Sequence, residues 1–359
     1  MRRPARAPLL LLVAGALLAA AAIVWQRVDG SDGIVLDAGS EEGLTVMWTG
    51  DTMLGDAAAD VIAQRGIRWP LDGVSHVLDA DVVIVNAEAP ITTRNEPFLP
   101  NKAYSYASDP TAAGALADAG VDVLGLANNH AMDQGPVGLA DTMRWAEEAG
   151  LVTVGAGMDM REAERPLLIR SPIGTVGIVA MAKGYGSRVT AGRERAGTIP
   201  LSTAAIRRGH RLAVAAGADW VVGYVHWGEN YERTLPEQRR QAARFAAAGY
   251  DLVVGHGPHV SHGAEVIDGM PVLHSIGNFV FGSPGRFDEE RPGYGFILET
   301  TFTPQGLGQV ELTCIVVDNR IIHYQPRPCE VDEAAEAFEN LGVPVDQQGP
   351  TALLRLPAA

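Results

Sequence analysis

Short apolar runs alternate with helical patterns along most of the chain from residue 44 onward. The runs predicted to form strands are 44–49, 81–85, 121–126, 151–155, 175–182, 220–225, 251–255, 270–276, 295–302 and 310–317. The segments with helical spacing, several of which end in glycine, are 109–120, 137–150, 202–217 and 236–249. Apolar strands without alternation that are linked by helices predict an α/β protein whose sheet is largely buried under helices.

The end of the pattern differs from its beginning. The last two predicted strands, 295–302 and 310–317, have no helix between them and alternate more, so they are expected to pair antiparallel. No internal repeat is visible. The simplest division is therefore one domain over 44–330 and a short helical tail over 331–359. The polar, glycine-rich residues 26–43 are predicted to form a spacer before the domain.

The first 25 residues carry a targeting signal. Arg2, Arg3 and Arg6 precede an uncharged apolar run over residues 8–25, which suffices to span a bilayer with the arginines on the cytoplasmic side. A cleaved signal peptide is the alternative, because the alanines at 20–22 offer small residues for processing. The single-pass anchor is favoured because the run continues past them. Both interpretations export the remainder of the chain.

Composition and charge narrow the class of protein. The chain has 359 residues, 47% of them apolar, and 41 glycines, as expected of a globular, loop-rich protein. Its formal net charge of −15 makes a nucleic-acid partner unfavourable, whereas clustered carboxylates and histidines are compatible with a bound cation. Cys314 and Cys329 form either one disulfide, if the domain is exported, or two free thiols.

Polar side chains collect where six of the predicted strands end. They are Asp51, Asn86, Glu88, Asn128, Asn129, His130, Asp133, His226, His256, His259 and Asn278. In parallel α/β sheets this edge binds ligands, so we expect these residues to lie close together. Taken singly, each has a simpler interpretation: Gly-Asp after a strand is usually a turn, and Asn86 could cap a helix.

The chemistry of these side chains indicates a metal site. Carboxylate, amide and imidazole groups without a thiolate suit Mn, Fe or Zn. A carboxylate shared by two such ions can bridge them. The sequence therefore predicts one divalent metal ion or a pair of them, with ligands drawn from Asp51, Glu88, Asn129, His226, His256 and His259.

In this order and spacing the motifs resemble the CapA capsule-synthesis family, which belongs to the calcineurin-like metallophosphoesterase superfamily. The matching motifs, spread over residues 44–302, are Gly50–Asp51, Asn86-x-Glu88, Asn128–Asn129–His130 with Asp133 and Gly135, His226–Trp227–Gly228, residues 255–260 and residues 275–279. The resemblance implies a four-layer α/β/β/α sandwich of metallophosphoesterase type.

The resemblance also implies roles for individual residues. Asp51 and the 256–259 turn would bind the first metal, Glu88 would bridge, and Asn129 and His226 would bind the second. His130 would serve as the acid for the leaving group or as a donor to the substrate, and Asp133 would orient His130 or cap the following helix. The residues expected to bind substrate are Lys102, Tyr104, Asn86 and Asn278.

Three departures from the superfamily pattern affect the metal ligands. Asp51 is followed by Thr52 and Met53, so the usual Asp-x-His lacks its histidine. The bridging position carries Glu88, and the turn at 256–259 has one extra residue, which leaves open which histidine binds.

The function implied is an exported, membrane-anchored, metal-dependent hydrolase or transferase in capsule or envelope polymer metabolism. Its substrate would be an envelope polymer such as poly-γ-glutamate or an anionic small molecule, cleaved at a phosphoester or a γ-glutamyl amide. Other capsule-synthesis proteins are the expected partners. The alternative is a non-catalytic scaffold that keeps the fold and binds or exports polymer.

Overall fold

The computed structural model of the protein describes residues 33–355. The predicted membrane anchor or signal peptide at 1–25 lies outside the described residues. Within 33–355, no helix combines the length and the apolar character that crossing a bilayer requires.

Strands and helices follow one another in the order that the apolar pattern predicts. The strands are β1 (Ile34–Asp37), β2 (Leu44–Met53), β3 (Val82–Ala87), β4 (Val123–Gly125), β5 (Val152–Val154), β6 (Ala156–Gly157), β7 (Leu167–Ser171), β8 (Gly174–Ala182), β9 (Gly197–Thr198), β10 (Trp220–His226), β11 (Leu252–His256), β12 (Ser261–Ile267), β13 (Met270–Ile276), β14 (Asn278–Phe281), β15 (Tyr294–Thr303), β16 (Gly306–Val316), β17 (Arg327–Pro328), β18 (Val345–Gln348) and β19 (Thr351–Leu354). The helices are α1 (Ala59–Arg65), α2 (Trp69–Asp72), α3 (Thr111–Asp118), α4 (Gly135–Glu148), α5 (Met160–Ala163), α6 (Thr203–Ala215), α7 (Pro236–Ala246), α8 (Asn319–Ile322) and α9 (Val331–Glu339).

Two large sheets form the centre of the described domain. One has seven strands in the order β1-β7-β8-β10-β11-β13-β12, and β8, β10, β11 and β13 run parallel. The other has ten strands and runs β18-β19-β16-β15-β2-β3-β4-β5, with β14 beside β2 and β17 beside β16. The expected antiparallel pairing of the last two predicted strands is confirmed by β15 and β16.

The apolar residues fall into layers that match this arrangement. One buried cluster lies between the sheets and joins Trp48 and Ile84 of the ten-stranded sheet to Val222 and Val254 of the other. A second cluster lies under α3 and α4, and a third lies under α6 and α7 on the opposite side. Strands whose residues are buried on both faces need a cover on each, which is why they carry continuous apolar runs. The predicted four-layer α/β/β/α sandwich is thereby confirmed.

The ends of the domain differ from the sequence prediction. The predicted spacer 26–43 contains β1, which pairs in parallel with β7 over Ile34–Asp37. The predicted helical tail contains α9 but then continues as the antiparallel hairpin β18–β19, whose second strand pairs with β16. Strands β1 and β18 are short and lie at sheet edges, where a weak apolar pattern suffices because the neighbouring strand supplies the register.

The two cysteines form a disulfide. Cys314 lies in β16 and Cys329 follows β17, 15 residues further along the chain. The amide of Cys329 also donates a hydrogen bond to the carbonyl oxygen of Cys314, at 2.9 Å. Of the two alternatives that the sequence left open, the structure has the bridge.

Candidate metal centre

The polar strand ends come together from two sheets. Six strands end at one side of the sandwich: β2, β3 and β4 of the ten-stranded sheet and β10, β11 and β13 of the seven-stranded sheet. In the register of the parallel pairs, His226 lies beside His256 and Asp51 lies beside Asn86. After β13 the chain crosses between the sheets, and Asn278 pairs with Asp51 of β2. The expected convergence therefore occurs, but across the gap between two sheets.

Asp51 lies at the centre of this cluster and is fully buried. Its Oδ1 accepts a hydrogen bond from Asn86 Nδ2 at 2.8 Å and lies 3.2 Å from His256 Nδ1. Its Oδ2 accepts from the Gly257 amide at 3.1 Å and lies 3.2 Å from His259 Nδ1. One carboxylate is thus contacted by groups from two strand ends, one in each sheet.

Close backbone approach makes this packing possible. A Cβ on Gly50 would lie 1.8 Å from the carbonyl oxygen of Gly277, so only glycine lets β2 and the 277 turn meet beside Asp51. Gly257 has a φ of +109°, and a Cβ there would lie 2.8 Å from the Trp227 carbonyl oxygen. These two glycines set the spacing between the sheets at the cluster.

Glu88 is the least satisfied group of the cluster. It is fully buried, yet neither Oε1 nor Oε2 has a hydrogen-bond partner among the described residues. Its Oε1 lies 3.7 Å from His226 Nε2 and 3.9 Å from His259 Nε2. Buried polar groups are nearly always partnered, so an unpartnered carboxylate beside imidazoles fits a site that holds a divalent cation.

The histidines surround Asp51 and contact one another. The Nδ1 atoms of His226 and His256 lie 3.1 Å apart, and His256 Nε2 is buried with no hydrogen-bond partner in the described part of the chain. His259 has a φ of +64°, unusual for a non-glycine residue, and Asn278 Oδ1 lies 2.9 Å from its Nδ1. Neutral imidazoles in this arrangement offer ring nitrogens suited to a divalent metal.

The pKa values of the Asp51 and Glu88 carboxyl groups are shifted in opposite directions. Burial by itself would raise the pKa of Asp51, but hydrogen bonds with His256 and His259 outweigh burial and hold that pKa well below its ordinary value. Burial raises the pKa of Glu88 well above its ordinary value, and the negative charge of Asp51 adds to the shift. Burial lowers the pKa of His226 well below its ordinary value despite the attraction of Asp51. Ionising Glu88 therefore requires added positive charge.

Two groups of side chains have the geometry to hold a metal ion. One is Asp51, His226 and His256, and the other is Asp51, Glu88 and His259, with ligand atoms within 4.8 Å of one another in each. The carboxylate common to both groups is Asp51, whereas the resemblance implied that Glu88 would bridge. Both histidines of the 256–259 turn take part, His256 in the first group and His259 in the second. The donor set of carboxylate oxygen and imidazole nitrogen fits a divalent metal.

His130 belongs to a second polar group beside the cluster. Its Nδ1 lies 2.6 Å from Asp133 Oδ2, and both side chains are buried. Asp133 also forms an ion pair with Lys102 and accepts a 2.8 Å hydrogen bond from the Tyr106 amide. Burial lowers the pKa of His130, although the contact with Asp133 opposes the shift. The predicted pairing of His130 with Asp133 is therefore present in the structure.

The other predicted residues occupy different positions. Asn86 and Asn278 are buried and hydrogen bond to Asp51 and His259, so they are placed to position ligands rather than to contact substrate directly. Asn129 Oδ1 is buried without a partner, while its carbonyl oxygen accepts from Lys102 Nζ at 2.7 Å. Tyr104 is 57% exposed and lies outside the cluster.

Three tyrosines around the cluster were absent from the sequence-based set. The ring centroid of Tyr106 lies 4.4 Å from that of His130, Tyr185 lies 6.2 Å from His226, and Tyr231 lies 5.6 Å from His259. Burial raises the pKa of all three phenols, and the charge of Glu88 adds to the shift. They therefore remain protonated donors at neutral pH. Tyr106 lies in the loop of Lys102 and Tyr104 and Tyr231 in the loop after His226, so the sequence could indicate these two, whereas it gives no such signal for Tyr185.

Met53 explains one departure from the superfamily pattern. It is buried in a small apolar cluster with Ala89 and Phe281, next to the ring of Tyr106. The position that follows Asp51 by two residues thus contributes packing and no ligand.

The four-layer sandwich, with carboxylates and imidazoles at its strand ends, defines the class: this is a metallophosphoesterase-type fold. Within that class, the family model for Bacterial capsule synthesis protein PGA_cap matches residues 45–283, and the chain belongs to this family.

Known relatives agree with this assignment. The chain is 31% identical over 245 residues to the PGA biosynthesis protein CapA of Bacillus subtilis, an alignment that covers 67% of this chain and 64% of that protein. It is 29% identical over 247 residues to the capsule biosynthesis protein CapA of Bacillus anthracis, covering 67% and 60% respectively. The aligned part thus spans less than two thirds of either relative.

The fold also has distant structural neighbours. A NAD nucleotidase of Haemophilus influenzae aligns with a TM-score of 0.43 at 11% identity, covering 84% of this chain and 62% of that one. A similarity this low carries no inference about substrate or activity.

Proposed function

We propose that the protein is a metal-dependent hydrolase or transferase that acts on a capsule or envelope polymer. The observation that carries the proposal is Glu88, a fully buried carboxylate whose two oxygens have no partner among the described residues and whose neighbours are imidazoles. A site built only for stability would leave no such group, because an unpartnered buried carboxylate is costly.

The two groups that share Asp51 would hold two divalent ions, of Mn, Fe or Zn. Metal ions bound there would supply Lewis acidity towards a carbonyl or phosphoryl oxygen. Asn86 and Asn278 would keep Asp51 and His259 in position, as residues behind metal ligands commonly do.

His130 is the residue placed to move a proton. Asp133 can only accept when ionised, so Nδ1 of His130 is the donor in their 2.6 Å contact. This fixes the tautomer and leaves Nε2, which has no hydrogen bond within residues 33–355, to exchange a proton with substrate. Lys102, held by Asp133 and the Asn129 carbonyl oxygen, adds a positive charge 3.1 Å from Nδ1, on the side of the ring that faces Asp133.

Membership of a capsule-synthesis family favours an anionic polymer as substrate. A γ-glutamyl amide and a phosphoester are both compatible with the site, because each presents an oxygen for a metal and a leaving group that needs a proton. Such work on an envelope polymer would require export, which the N-terminal apolar run would provide by anchoring the domain outside the cytoplasm.

A non-catalytic scaffold is the second candidate. The observation that favours it is Met53, an apolar side chain packed against Phe281 where the superfamily pattern carries a histidine. In that case the same fold would bind polymer or partner proteins of capsule synthesis without turnover.

The decisive experiment compares metal content and turnover in the purified full chain. We expect the wild type to bind divalent metal and to cleave a γ-glutamyl oligomer or an aryl phosphodiester, and Asp51→Ala and His226→Ala to lose both. His76→Ala, an exposed histidine, is the matched control and should behave as wild type. Absence of metal from the wild type would overturn the proposal. Metal binding without turnover of either substrate would favour the scaffold.

A further inference from the structure

A cavity of about 530 Å³ lies away from the metal cluster and is lined by arginines. Arg161 and Arg165 come from α5 and the residues after it, Arg193 from the loop before β9, and Arg208 from α6. The apolar part of the wall includes Met160 and Leu212.

The cavity is on the helix-covered face of the seven-stranded sheet. A smaller cavity that shares Arg165, Arg208 and Leu212 with it is lined by Val179 and Met181 of β8, which belong to the outer apolar cluster with α6. The metal-binding groups face the other way, into the space between the two sheets, where Tyr224 of β10 packs with Trp48 of β2. The arginine cavity is therefore a separate site from the metal cluster.

The four arginines that line the cavity outnumber its one carboxylate, Glu164. Glu164 is the acidic residue in the wall, and its Oε2 lies 2.6 Å from Arg208 Nη2. Arg165 and Arg193 make no side-chain hydrogen bond or ion pair within the part of the chain that the structure describes. In a chain of net charge −15, a concave surface with a local excess of guanidinium groups attracts anions that the rest of the protein repels.

We propose that this cavity is an accessory binding site for the carboxylate groups of an anionic polymer, of the γ-glutamyl class. The inference rests on the proposed function for its choice of polymer. A guanidinium binds a carboxylate through two parallel hydrogen bonds, and Arg165 and Arg193 have that capacity unused. The concave, partly apolar wall suits a side chain that carries its charge on methylene groups better than a flat membrane surface. The polymer would be held here while another part of it reaches the metal cluster.

The test measures binding of a fluorescently labelled γ-glutamyl decamer to the full chain by anisotropy. We expect Arg165→Gln/Arg193→Gln to weaken binding by about tenfold, because two charged contacts are lost at partly exposed positions. The control Arg207→Gln/Arg211→Gln removes two exposed arginines of α6 that do not line the cavity, and it should bind within about twofold of wild type. Equal affinities for the two double variants would overturn the proposal.

Two further arms separate this inference from the proposed function. Asp51→Ala, stripped of metal, should still bind the decamer, and loss of all binding in it would place the polymer at the metal cluster and overturn the accessory site. Inorganic phosphate at matched ionic strength should compete poorly. Competition equal to that of unlabelled decamer, or binding to anionic phospholipid vesicles in place of the decamer, would overturn the assignment to a carboxylate polymer.

Discussion

Two buried polar groups, one around Asp133 and one around Asp51, lie side by side at the strand ends. They differ in whether their buried polar atoms have hydrogen-bond partners. Around Asp133, each charge has a partner: the carboxylate accepts from Lys102, His130 and the Tyr106 amide. Around Asp51, Glu88 Oε1 and Oε2 and His256 Nε2 have no hydrogen-bond partner among residues 33–355. The first group is therefore complete as folded, whereas the second has carboxylate and imidazole atoms that could hold a divalent ion.

The strongest test of this contrast removes the carboxylate common to both candidate metal groups. In the wild type, divalent metal at about 100 times its Kd should raise the free energy of unfolding by about 3 kcal/mol, because metal binds only the folded chain. In Asp51→Ala this gain should disappear, because both groups lose a ligand. Urea unfolding with metal and with chelator measures the gain, and Asp60→Asn, an exposed aspartate, should retain it. An undiminished gain in Asp51→Ala would place the metal elsewhere.

Breaking the complete group should cost stability whether or not metal is present. Asp133→Asn keeps the shape but loses the charge that Lys102 and His130 contact, and we expect a loss of about 2 kcal/mol in the free energy of unfolding. Urea unfolding should give the same loss with metal and with chelator. A loss confined to the metal-bound form would mean that this group, too, depends on the ion.

Glu88→Gln should separate metal affinity from stability. Removing the charged ligand should weaken metal binding by at least about tenfold, measured by competition with a chromophoric chelator. The metal-free protein should be no less stable than wild type, because burial and the charge of Asp51 both disfavour the ionised Glu88 carboxylate. Glu147→Gln, at an exposed site on α4, serves as the control for both measurements. A marked loss of stability in the metal-free variant would show that Glu88 has a structural partner after all.

The smallest effect is expected outside both groups. Tyr104→Ala should change the free energy of unfolding by less than about 0.5 kcal/mol and leave metal affinity unaltered, because its side chain is largely exposed. Only the affinity for substrate should respond if Tyr104 has the binding role that its sequence neighbourhood suggests. A change in metal affinity would extend the metal-binding group to this loop.

Much of the fold follows from the apolar pattern. All ten predicted strands and all four predicted helices are present, from the run 44–49 in β2 to 310–317 in β16. Among the strands that were not predicted, β1 and β18 lie at sheet edges, and they are defined by the strands they pair with rather than by periodicity. The disulfide between Cys314 and Cys329 depended on β16 and β17 lying side by side, which spacing alone does not reveal.

The sequence determined which residue types end the strands, and therefore that carboxylates and imidazoles would collect at one edge. Only the tertiary structure decided that the edge belongs to two sheets and that Asp51 is common to both candidate metal-binding groups. It also decided that Asn86 hydrogen bonds to Asp51 and that Asn278 hydrogen bonds to His259. The physical reason is that strand-end chemistry is local, whereas the distance between two side chains depends on how the sheets pack. Here glycines at 50 and 257 allow that close approach.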